Sequence, residues 1–264
     1  MYILLFFVLG LCTGSFSNVV IYRLPEMMFN PPVSRSFNLA TPRSHCPACQ
    51  HTLGILQLIP LLSWLAQGGR CHFCKMKISA IYLSVELLTG LLYLAIALCI
   101  PDPFIALPLT LFCSTLIILA AIDLRHMLLP DVLTLPLLWA GLLWSCSGYG
   151  FLNAQQAITG AIMGYLSLWG TYWLYLLLRK REGLGYGDFK LNAALGAWFG
   201  AEGILFILIV GSLLGIILWW YRCKSIIPFG PALSGAAMIY LAGLISPPEW
   251  QESSLQLIKQ FLLM

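Results

Sequence analysis

Apolar runs of spanning or near-spanning length follow one another along almost the whole chain. They cover residues 2–22, 80–100, 104–122, 127–147, 154–178, 189–201, 203–221 and 228–246. A hydrocarbon layer about 30 Å thick is crossed by roughly 20 apolar residues in a helix. Inside lipid, backbone polar groups are satisfied only within helices or closed barrels. The pattern therefore predicts an all-α, polytopic integral membrane protein with about eight transmembrane helices. The run at 189–201 is short and the last is rich in Gly and Pro, so six or seven spans is the competing count. One long polar interruption, residues 23–79, contains Pro25, Pro31, Pro32 and Pro42 and reads as too broken for a long helix. It is expected to be the one sizeable water-exposed segment. After Pro247-Pro248, Leu255, Ile258, Phe261 and Leu262 recur at helical spacing, which suits a short interfacial helix or a frayed tail. The expected organisation is a first transmembrane helix (1–22), a loop domain (23–79), a transmembrane domain (80–246) and an interfacial tail (247–264).

Composition agrees with the pattern. The chain is 60% hydrophobic and 9% charged, where soluble domains carry about 25% charged residues. The net charge of +4 comes from few groups, and nothing in it suggests nucleic-acid binding. Its placement says more. With eight spans, 13 of the 14 Lys and Arg residues fall in or beside the loops 23–79, 123–126, 179–188 and 222–225, and Lys259 alone lies elsewhere. The opposite loops hold Asp102, Glu202, Glu249 and Glu252. The basic side is expected to be cytoplasmic, with both termini on the other side. No basic stretch precedes residues 2–22 and Arg23 follows them, so they read as an uncleaved span and not as a signal peptide.

Nine cysteines resemble a disulfide set until their spacing is considered. Cys46-Pro47-Ala48-Cys49 and Cys71-His72-Phe73-Cys74 are two C-x-x-C knuckles, each offering two thiolates. Together they make a four-sulfur tetrahedral zinc site. A loop with so few core residues needs such a staple. The rival reading, two disulfides or a redox dithiol, is disfavoured on a reducing face. His45, His51 and His72 are nearby but more simply bystanders. Cys12, Cys99, Cys113, Cys146 and Cys223 lie in or beside apolar runs and read as small buried hydrophobes.

Two carboxylates stand out. Asp188 sits in Gly183-Leu184-Gly185-Tyr186-Gly187-Asp188-Phe189-Lys190, at the opening of an apolar run. Asp123 closes another run on the same side. An acid at such a position costs about 3 kcal/mol at the bilayer centre, so it reads as functional. Two carboxylates within hydrogen-bond reach share a proton. The ionised one then activates a water while the protonated one donates to a carbonyl oxygen, the logic of aspartic proteolysis. Each Asp alone would read as an interfacial helix cap, and Asp131 after Pro130 is assigned that role. Arg125 and Lys190 lie two residues from the acids and read as boundary anchors or as tuners of the pair. Gly14-Ser15-Phe16-Ser17-Asn18 suits close helix packing. Glu86, in the second run, pairs with a base or touches substrate.

Gly185-x-Gly187-Asp188 preceded by Asp123 resembles the two-aspartate signature of the bacterial type 4 prepilin peptidases, GxGD-type membrane proteases. Gly14-Ser15-Phe16-x-Asn18-Val19-Val20-Ile21-Tyr22-Arg23-Leu24-Pro25, the paired knuckles, Ile59-Pro60-Leu61-Leu62-Ser63-Trp64-Leu65, Val85-Glu86 and Pro228-Phe229-Gly230-Pro231 resemble its other landmarks, in order along almost the whole chain. The resemblance implies a bacterial inner-membrane enzyme. Its substrates would be type IV prepilins or type II secretion pseudopilins, cut after a glycine at the cytoplasmic boundary. It implies Asp123 and Asp188 as the catalytic pair and Cys46, Cys49, Cys71 and Cys74 as ligands of a structural Zn2+. It also implies methylation of the new N-terminal amine with S-adenosylmethionine, an activity associated with the cytoplasmic region. Departures fall in that region. Leu58 stands where the family commonly has Asn, Gly68 where Arg is usual, and Ile81-Tyr82-Leu83 where Arg-Tyr-Pro is common. Lost Asn and Arg side chains remove donors that would hold a carboxylate or cofactor.

A basic leader would be met by acids or lipid headgroups, with Glu26, Glu86 and Glu182 as candidates. Two other classes stay open at this point. One is a proton- or cation-coupled transporter using Asp123 and Asp188. The other is a non-enzymatic assembly factor acting through residues 23–79.

Overall fold

The apolar runs become helices that begin where the sequence supplies caps. The computed structural model describes residues 1–29, 37–181, 183–222 and 227–246; Pro31, Pro32, Glu182, Cys223 and the 247–264 tail with its expected interfacial helix lie outside the described residues. The elements are α1 (Tyr2–Phe29), α2 (Leu62–Ala66), α3 (Ala80–Cys99), α4 (Pro103–His126), α5 (Asp131–Cys146), α6 (Ala154–Arg179), α7 (Tyr186–Arg222) and α8 (Gly230–Ile245). The Ser79 hydroxyl accepts from the Ile81 N–H at the start of α3, and the Asp102 carboxylate accepts from Phe104 before α4. Asn153 and Gln156 form a reciprocal capping box on α6. Left-handed residues, Met127 and Lys180, end α4 and α6.

Five helices are long and apolar enough to cross a membrane: α1, α3, α4, α6 and α7; α5 and α8 are apolar but 16 residues each. The protein is thus an all-helical, multi-pass membrane protein, and no strand is formed among the described residues. Within α7, Gly200 takes φ 70° and ψ −173°, which no L side chain adopts comfortably. This break divides α7 where the expected runs 189–201 and 203–221 meet.

The first run is longer than its expected end at residue 22. Pro25 lies buried inside α1, next to Leu24, which packs with α3 and α4 residues Val85, Ile118 and Ile122. Helix prolines are tolerated where packing neighbours compensate the lost bond. Arg23 is buried as well. Its guanidinium donates to the carbonyls of Asn38 (2.9 Å), Leu39 (3.4 Å) and Pro42 (2.7 Å). It therefore straps the loop to α1.

Small residues set the helix crossings. A Cβ on Gly10 would stand 2.8 Å from the Gly90 Cα, and one on Gly14 would stand 2.8 Å from the Glu86 Cα, so α1 lies directly on α3. Asn18 finds its partner there, donating to the Tyr82 carbonyl at 3.0 Å. Gly160 and Gly164 of α6 rest on the Gly196 and Asn192 backbone of α7. Phe112, Leu116, Trp144, Phe189, Leu195, Trp198 and Leu233 fill the core between α4, α5, α7 and α8. The Trp198 indole donates to the Leu137 carbonyl at 2.9 Å. Cys113 is buried as expected, but Cys12, Cys99 and Cys146 are exposed on helix surfaces. An apolar exterior imposes no need to bury a small hydrophobe.

Candidate active site and cysteine cluster

Asp123 lies one turn before the end of α4, and Asp188 lies in the first turn of α7. Their residues are 5% and 8% exposed, and each carboxylate is within range of the other's charge. The helix termini explain how an apolar protein holds them. The N–H of Gly230, first residue of α8, donates to Asp123 Oδ2 at 2.9 Å. The Gly185 N–H serves Asp188. Helix N-termini favour negative charge. Both acids therefore face positive helix ends.

Glycines are required here by space. A Cβ on Gly230 would stand 2.6 Å from Asp123 Oδ2, and one on Gly187 would stand 2.9 Å from the Leu129 Cβ. Leu129, buried between α4 and α5, also meets Gly230, where a Cβ would stand 3.1 Å from its Cδ2. One leucine thus packs against both the start of α7, which carries Asp188, and the start of α8, whose N–H holds Asp123. The sequence offers Gly230 as part of Pro228-Phe229-Gly230-Pro231 without its role. The legible signal is a glycine followed at once by Pro231, a helix start.

Two expectations about charged neighbours change. Asp131 is the first residue of α5 but makes no cap hydrogen bond. It pairs with Lys190, whose Nζ lies 2.8 and 2.7 Å from its two carboxylate oxygens. Lys190 is therefore turned from Asp188, and it ties α5 to the first turn of α7. Glu86 is half-buried, and its Oε2 accepts the Leu61 N–H at 2.9 Å. Arg125 and Glu26 are exposed.

The four knuckle cysteines come together, with every sulfur within 4.8 Å of the others. Cys46 and Cys74 Sγ are 3.8 Å apart, which matches the roughly 3.8 Å between sulfurs of a tetrahedral site with Zn–S of about 2.3 Å. The two knuckles repeat one backbone pattern. Cys46 N–H donates to His51 O and Cys71 N–H to Met76 O; Gln50 N–H donates to Cys46 O and Lys75 N–H to Cys71 O. Gln50 and Lys75 are both left-handed at φ 58°. Backbone N–H groups of Cys74 and Phe73 pull the Cys71 thiol down to about 7. Cys74 receives the Met76 N–H, but burial and the three neighbouring thiols push it up to about 11. The set fits a metal that takes thiolates. The histidines stay outside it: the His51 ring lies tilted against Phe73 with centroids 3.6 Å apart, and His45 faces the Arg43 carbonyl.

Comparisons with known proteins agree along both halves. Residues 8–100 match the bacterial peptidase A24 N-terminal domain, and residues 110–220 match the type IV leader peptidase family. A prepilin leader peptidase/N-methyltransferase of Aeromonas hydrophila is 45% identical over 95% of this chain and 93% of its own. A protein of the same name from Pseudomonas aeruginosa is 42% identical over 91% and 90%. A type 4 prepilin-like proteins leader peptide-processing enzyme of Escherichia coli is 41% identical over 89% and 92%. No solved structure matches.

Proposed function

The chain belongs to the type IV leader peptidase family, and on that premise we propose that it is a membrane aspartic endopeptidase. It removes the leader from type IV prepilins or type II secretion pseudopilins after a glycine, then N-methylates the new N-terminal residue. Asp123 and Asp188 are the catalytic pair. The observation that carries this reading is the approach of two buried carboxylates from α4 and α7, each at a helix N-terminus.

One carboxylate, ionised, takes a proton from water as that water attacks the scissile carbonyl. The other, protonated, donates to the carbonyl oxygen. Collapse of the tetrahedral intermediate returns a proton to the departing amine. The substrate's apolar helix lies alongside the spans, which raises the effective concentration of the scissile bond.

The remaining assignments follow the same premise. The chain crosses the bacterial inner membrane eight times, counting α5, α8 and both parts of α7. The basic bias of its loops supports placing residues 23–79 and both aspartates at the cytoplasmic side. Residues 37–79 hold the zinc-stapled lobe, and residues 80–246 form the peptidase domain. Cys46, Cys49, Cys71 and Cys74 would hold Zn2+, which fixes the two knuckles when bound. S-adenosylmethionine would supply the methyl group, and the exposed Arg43, Arg70, Lys75 and Lys77 suit its carboxylate. Neither the fold nor the relatives lend support to the transporter or scaffold readings.

Purified protein is incubated with a purified prepilin and labelled S-adenosylmethionine. A shortened pilin band carrying label is expected. An uncut prepilin overturns the peptidase reading, and a cut but unlabelled product overturns the methylation.

A further inference from the structure

Residues 37–79 are not simply a water-facing appendage. The 3-10 turn Ile55–Leu58 and helix α2 contain no buried residue, although five of their nine residues are leucine or isoleucine. Ile55 and Leu56 are each 78% exposed, Leu62 64% and Leu65 62%. A water-facing surface rarely gathers so much aliphatic area without a partner.

The depth of this segment is fixed by one contact. Leu61, between the turn and α2, is left-handed at φ 57°, and its N–H is held by Glu86 Oε2 at 2.9 Å. Glu86 lies six residues beyond Ala80, where α3 begins. At 1.5 Å per residue, that is about 9 Å along a helix of spanning length. The segment is therefore drawn back beside α3, nearly two turns into that helix. Exposed Leu87, Leu88 and Leu91 continue the apolar exterior of α3 from there.

Charge indicates what covers it. Residues 37–85 contain no Asp or Glu and carry Arg43, Arg70, Lys75 and Lys77, all exposed. Four thiolates on a dication would still leave the balance positive. Exposed aliphatic side chains beside basic ones are the pattern of an element lying in an anionic membrane interface.

We propose that residues 55–65 are a monotopic wedge inserted into the lipid leaflet alongside α3, with the basic residues of the lobe on anionic headgroups. The occupant of this surface is the bilayer itself. The wedge and the clamp of Arg23 then hold the cysteine cluster against the membrane from two sides.

The test uses the full-length protein in vesicles of phosphatidylethanolamine and phosphatidylglycerol. The photoreactive residue p-benzoylphenylalanine replaces Leu56, Leu62 or, as comparator, the exposed Ala48 of the first knuckle. After irradiation, mass spectrometry of the protein is expected to show a phospholipid adduct at positions 56 and 62 that is lost at position 48. Absence of lipid adducts at 56 and 62, equal adducts at all three, or crosslinks to a second copy in their place overturns the proposal. Zinc content and prepilin cleavage are measured on the same vesicles, so a folding defect reads separately from lost lipid contact.

Discussion

The Gly230 N–H and Asp123 Oδ2 are 2.9 Å apart, across a gap that a single methyl group would close. The glycine is there for space, since its backbone is not in the left-handed region. Gly230→Ala is expected to displace the Asp123 carboxylate while leaving α8 intact. A displacement near 1 Å lowers rate by on the order of 100-fold. Initial rates of prepilin cleavage, compared at equal membrane abundance, check this.

Glu86 acts on the loop through Leu61. Glu86→Leu removes the acceptor and leaves a strained N–H unpaired, at a cost of about 1–3 kcal/mol. Glu86→Gln keeps an acceptor. Hydrogen exchange at the Leu61 amide is expected to accelerate on the order of tenfold to hundredfold in the first variant and little in the second.

The cysteine cluster is expected to carry one zinc per chain. Cys71→Ser, or chelation, should abolish metal binding and expose the 37–79 lobe to protease, because such loops fold with their metal. The long helices, packed by their own core, should stay resistant. Metal analysis and limited proteolysis report both outcomes.

Much of this was legible from residue patterns, and the failures share a cause. Helix runs, the break near Gly200, the aspartates and the paired knuckles are local signals, carried by hydropathy, glycine or spacing. What was missed depends on partners distant in sequence. Arg23 counts only as the basic residue that follows the first run until the carbonyls of Asn38 and Pro42 are seen around it. Asp131 reads as a cap until Lys190 reaches it from 59 positions away. Gly230 is only part of the Pro228-Phe229-Gly230-Pro231 run in the sequence, and its N–H acquires meaning only beside an acid 107 positions earlier.

The α6–α7 crossing offers a control for packing near the site. Gly160 of α6 touches the Gly196 carbonyl, and Gly164 touches Asn192, one turn beyond Asp188. Gly160→Leu is expected to cost about 1–3 kcal/mol or more by overpacking, lowering thermal stability in detergent and cleavage together. Gly170→Leu, with open space around its Cα, should change neither.

The most direct measurement compares cleavage of one purified prepilin by the unaltered protein, by Asp123→Asn and by Asp188→Asn at equal membrane abundance. With two carboxylates dividing the acid and base roles, neither single variant should yield a shortened band, even after prolonged incubation. Processing at the unaltered rate by either variant would contradict the account.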